Sequence, residues 1–65
     1  MRIDLNGTPQ QVAADTLAGA LAELGYGRSA VATALNGRFV PAAARAATAL
    51  QDGDRVEVLA PMQGG

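Results

Sequence analysis

A chain of 65 residues can form one small domain at most, near the size at which folding buries only about 60% of the surface the unfolded chain exposes. It has no cysteine and no histidine, which excludes disulfides, thiol nucleophiles, thiolate metal sites and the imidazole that most side-chain catalysis uses as a base. Five arginines stand against six acidic residues for a formal charge of −1, so no basic patch for nucleic-acid phosphates is expected.

In chain order, Met1, Ile3 and Leu5 alternate with Arg2, Asp4 and Asn6, the period-two pattern of a half-buried strand. Asn6-Gly7 is the dipeptide that most readily takes the positive dihedrals of a two-residue hairpin turn, which predicts a second, antiparallel strand through about Gln10 to Ala13. From Asp15 the period changes: Leu17, Leu21 and Leu24 line one side of a helix, with Asp15 or Thr16 as its N-cap and Gly25 ending it. Gly19 weakens that helix by about 1 kcal/mol relative to alanine, which leaves its stability to packing of the leucine stripe.

"VATALNG" (31–37) reads as a third strand ending in a second Asn-Gly turn, and "RFV" (38–40) as a fourth closed by Pro41. Val31, Thr33 and Leu35 share one side of the third strand and Ala32 and Ala34 the other, with either side open to burial. The alanine-rich 41–50 segment predicts a short helical turn after Pro41, anchored by Leu50. Asp52-Gly53 forms a turn into a last strand, "RVEVLA" (55–60), where Val56 and Val58 point one way and Arg55, Glu57 and Leu59 the other. The order predicts an α+β domain, residues 1–60, with one helix across a mixed sheet of about five strands whose centre holds the first and last strands.

Little chemistry is available. Asp52 and Asp54 lack the further ligands a cation needs, and turn chemistry accounts for them. Gly25 and Gly27 around Tyr26 are followed by no Gly-Lys-Ser/Thr and end a helix, so they read as a cap and not a phosphate loop. No metal site is expected. "MRIDLNG" is broken by Asp4 and Asn6 where a secretory signal needs an apolar run, and no stretch approaches the roughly 20 apolar residues that span a bilayer. A soluble cytoplasmic protein, with neither nucleic acid nor membrane as partner, is the expectation.

The remaining feature is "PMQGG" (61–65), expected to be a flexible tail. Met62, Gln63, Gly64 and Gly65 extended would reach about 13 to 14 Å, enough to enter an enzyme's channel while the folded body stays outside. Glycine has no Cβ, so a narrow channel can close on the backbone around Gly64 and approach the Gly65 carboxylate. That carboxylate, with an ordinary pKa near 3.3 to 3.7, is ionised and unreactive at neutral pH and needs activation by a partner. Leu59, with Met62 and the ambiguous Phe39, is a candidate for docking that partner.

These stretches together resemble the small ubiquitin-like sulfur carriers, and among them the sulfur carriers of thiamin biosynthesis. The resemblance runs over the whole chain: a first strand ending Asn6-Gly7, the Thr16-Leu17 helix start, "ALNGRFVP" (34–41), "LQDGDRVEVL" (50–59) and "PMQGG" (61–65). It implies a ubiquitin-like β-grasp fold and a protein that is not itself an enzyme and binds no cofactor. A partner adenylating enzyme would use ATP to activate Gly65, a sulfur donor system would convert it to a thiocarboxylate, and thiazole synthase would accept the sulfur. The chain departs from the family's pattern in "AAARAA" (42–47), where a basic residue after the proline and an aromatic are common. The small subunit of molybdopterin synthase is similar and also ends in Gly-Gly, although it often carries a double proline before the tail where this chain has "LAPMQGG". A noncovalent β-grasp interaction module, its terminal glycines incidental, is the reading from another class.

Overall fold

The computed structural model describes residues 1–27 and 30–60. Its elements are β1 (Arg2–Leu5), β2 (Thr8–Gln11), α1 (Leu17–Glu23), β3 (Ala32–Leu35), β4 (Arg38–Val40), a 3-10 helix (Ala42–Ala47) and β5 (Arg55–Leu59). The strands make one sheet in the order β2-β1-β5-β3-β4, in which β1 and β5 run parallel and the other neighbours antiparallel. Two clean alternating strands therefore pair with each other in the interior of the sheet, as their sequences predict.

Both Asn-Gly pairs turn the chain in two residues, with φ of 50° and 87° at Asn6 and Gly7 and of 51° and 84° at Asn36 and Gly37. Positive φ at both positions matches the twist of the strands on either side. The asparagine side chains also extend the ladders of β5 where β1 and β3 turn away from it. Asn6 Nδ2 donates to the Val58 carbonyl at 3.1 Å and its Oδ1 accepts from Val58 N–H at 2.9 Å. Asn36 Oδ1 accepts from Arg55 N–H at 2.9 Å, and Nδ2 donates to Asp54 Oδ1 at 3.0 Å. The Asn6 amide supplies both the donor and the acceptor that a departing backbone no longer offers, and the Asn36 amide supplies the acceptor.

β2 lies earlier than the sequence predicts, at Thr8–Gln11 and not Gln10 to Ala13. A two-residue turn fixes the register, so Leu5 must pair with Thr8, and Pro9 opposite Asp4 sits on an edge strand where its missing N–H costs nothing. Ala13 and Ala14 leave the strand because the Glu23 carboxylate takes their N–H groups at 2.9 and 2.5 Å.

Thr16, and not Asp15, is the N-cap of α1: its hydroxyl accepts from Gly19 N–H at 3.1 Å. The Asp15 carbonyl instead accepts from Leu50 N–H at 2.9 Å. Past the C-cap Leu24, Gly25 has a φ of 93°, the left-handed geometry expected of it. Leu17, Ala20 and Leu21 pack on Ile3, Leu5, Val40, Val56 and Val58 to make the core, with Val12 and Leu50 closing its ends. Leu24 packs beside it, partly buried.

Gly19 is not a simple concession in helix propensity. A Cβ there would stand 2.7 Å from the Ala14 Cβ and 3.2 Å from the Thr16 Oγ1. The glycine lets the loop before the helix fold back against its first turn.

β3 buries the side that carries Thr33, only 2% exposed, with Val31 and Leu35 packed against the core. Ala32 and Ala34 lie on the other, open face. The 3-10 helix is the short helical connector predicted after Pro41, and Leu50 is the buried anchor.

Candidate functional site

β5 sets the site. Its alternation sends Val56 and Val58 into the core and leaves Arg55, Glu57 and Leu59 on the open face, at the strand from which residues 61–65 follow. The register then assigns neighbours: Ala32 pairs with Leu59, and Ala34 pairs with Glu57 on one side and Phe39 on the other. The two small side chains of β3 leave a hollow of about 200 Å³ between the larger ones. Phe39 and Leu59, each 69% exposed, stand at its borders with Glu57 beside them. Two residues that the sequence offered as separate docking candidates thus share one apolar patch.

The rest of the open face is charged. Asp4 pairs with Arg55 across β1 and β5, and a larger hollow, about 580 Å³, lies there between the two Asn-Gly turns. It is lined by Asp4, Arg55 and Glu57 with turn backbone, a set with no nucleophile or oxyanion cradle. We place the site at the Leu59 end, where the chain continues toward Gly65, and not in this larger hollow.

Of the turn carboxylates, Asp54 bonds local backbone as turn chemistry predicts, while Asp52 reaches across to the backbone of β1. Asp52 Oδ1 accepts from Arg2 N–H at 2.7 Å, Asp54 Oδ2 accepts from Gln51 N–H at 2.8 Å, and Gly53 has a φ of 90°. Among the described residues no group of three or more acidic, histidine or cysteine side chains is placed to hold a metal. No helix among them is long and apolar enough to cross a membrane. The expected tail, with Met62, Gln63, Gly64 and Gly65, lies outside the described residues.

Arg45 is a residue the sequence reading passed over. It donates from Nε to Thr33 Oγ1 at 2.9 Å and from Nη2 to the Val31 carbonyl at 2.6 Å, tying the 3-10 helix to β3 beside the end of β5. Its signal was compositional: it is the one charged side chain in an alanine run.

A helix on one face of a mixed sheet, with the last strand at the centre, defines a ubiquitin-like β-grasp domain. The ThiS family model matches residues 3–65. A solved structure described as a thiamine biosynthesis protein (ThiS) from Geobacter metallireducens is 35% identical, covers all of both chains and superposes with a TM-score of 0.83. No curated protein sequence matches. The chain belongs to the ThiS family, the sulfur carriers of thiamin biosynthesis. Both findings fall on the thiamin side of the choice that Gly64-Gly65 left open with molybdopterin synthase.

Proposed function

We propose that the chain carries sulfur on the carboxyl group of Gly65, as a co-substrate of enzymes that supply all the catalysis. The observation that supports this reading most is the family match, which extends through Gly64 and Gly65 and so includes the tail as well as the body. A carboxylate oxygen of Gly65 attacks the α-phosphorus of ATP in a partner adenylating enzyme, and pyrophosphate leaves. A sulfide-level nucleophile from the donor system then attacks the acyl carbon, the C–O bond to AMP breaks, and AMP departs to leave a thiocarboxylate. Thiazole synthase takes the sulfur. ATP is used by the partner and not held by this chain.

In this scheme Met62, Gln63 and Gly64 thread the channel, and the patch of Leu59 and Phe39 seats the body at its mouth. Leu59→Asp is expected to raise the KM for the carrier roughly tenfold, by placing a charge in a contact that must lose its water. Its thermal midpoint should not change, because Leu59 is 69% exposed in the free domain. An adenylation rate equal to wild type at every carrier concentration removes the docking role.

The test of the reading as a whole is intact mass after incubation with candidate adenylating enzyme, ATP and sulfide. Replacement of one oxygen by sulfur at the terminus is expected. A terminus that stays inert favours the noncovalent module.

A further inference from the structure

Beyond the last β3–β4 pair, Thr33 with Val40, a side chain takes over the edge of β3. The Thr33 hydroxyl donates to the Val40 carbonyl at 2.9 Å and accepts from Arg45, whose second bond runs to the Val31 carbonyl. A guanidinium holds five N–H donors in a rigid plane. Two are used here, both toward neutral oxygens, and no acceptor among the described residues takes the other three. The charge is therefore positioned with no acidic partner among the described residues.

That guanidinium borders a groove of about 490 Å³ whose other walls include Val31, Ala32, Ala42, Leu59 and Ala60. Ala32 and Leu59 also line the apolar hollow of the open face, so the groove continues the docking patch around the end of β5. An enzyme that draws residues 61–65 into a channel must bring the mouth of that channel against Leu59 and Ala60. Whatever forms the rim lands in this groove.

We propose that the groove receives an apolar side chain flanked by a carboxylate from the rim of the adenylating enzyme, the carboxylate pairing with Arg45; this rests on the carrier reading above. The alanine, valine and leucine walls accept only an apolar group without cost. A docked surface that removed water from the guanidinium and offered no anion would leave a desolvated charge, and a cationic one would be repelled. A carboxylate meets the remaining N–H groups in the side-by-side geometry that arginine favours. Arg45 is then a positioning and specificity residue, distant from the reacting carboxyl.

The test measures pyrophosphate release by the adenylating enzyme against carrier concentration. Ala42→Glu keeps both Arg45 bonds and adds an internal carboxylate beside the guanidinium, and Ala42→Gln is its uncharged control. The glutamine measures the steric cost of a longer uncharged side chain in the groove wall, and the glutamate is expected to raise KM roughly tenfold above the glutamine with kcat unchanged. Arg45→Met should raise KM by a similar factor and flatten its dependence on salt, with Arg45→Lys recovering part of the loss. Thermal midpoints identify any variant that fails to fold, and Ala42→Glu then decides alone. Equal KM for Ala42→Glu and Ala42→Gln overturns the assignment, as does a KM for folded Arg45→Met that matches wild type at low and high salt. A wild-type chain that is never adenylated overturns the carrier reading itself, and the assignment with it.

Discussion

Gly64→Val is expected to lower the rate of Gly65 adenylation by roughly 10²-fold, the scale on which a small misplacement of reacting atoms acts, while the unfolding midpoint stays at the wild-type value. The argument is steric. A channel that closes on backbone can bring its walls within van der Waals distance of the chain on all sides only where no Cβ intervenes. Valine adds a branched side chain one residue from the carboxyl, and its stiffness at χ1 lets it yield little. The body is untouched, because β5 ends at Leu59. Pyrophosphate exchange and a urea melt on the same preparation check the two halves, and undiminished exchange would show that nothing closes around Gly64.

Gly19→Ala is expected to destabilise the domain by about 1–3 kcal/mol, the usual cost of forcing volume into a packed site. Helix propensity alone predicts the opposite sign, a gain of about 1 kcal/mol. Packing should win because the new Cβ would lie 2.7 Å from that of Ala14, which cannot rotate away. Ala14 is itself held by Glu23, whose carboxylate accepts its N–H at 2.5 Å. The same Cβ crowds the Thr16 hydroxyl that caps the helix, at 3.2 Å. Equilibrium urea unfolding reads the result, and a midpoint above wild type with an unchanged slope would show that the loop yields freely.

These two glycines mark what sequence reasoning reaches. Gly64 could be interpreted from its place in the chain and the chemistry of a side-chain-free residue. Gly19 could not, since its reason lies in a loop that folds back by way of Glu23. The same division runs through the fold. Asn6-Gly7, Asn36-Gly37, the leucine spacing of α1 and the alternation of β5 are local signals, and each element formed where its signal lies. β2 lies earlier than the predicted Gln10 to Ala13 because the two-residue turn sets its register and an edge strand tolerates Pro9. The buried side of β3 needed the pairing of Thr33 with Val58 to settle it. At the site, Leu59 and Phe39 were each visible, but their union through Ala32 and Ala34 is a matter of register between strands. Arg45 escaped notice because a lone arginine in an alanine run has no period or motif to announce it.

The parallel pairing of β1 with β5 has a consequence for synthesis. A growing polypeptide must wait for its final strand before the middle of its sheet exists, since closing that pair spans nearly the full sequence and nothing earlier can substitute for it. A product released prematurely would lack its central strand and remain open to proteolysis. Translation thus couples the ability to fold to possession of the strand that leads into residues 61–65.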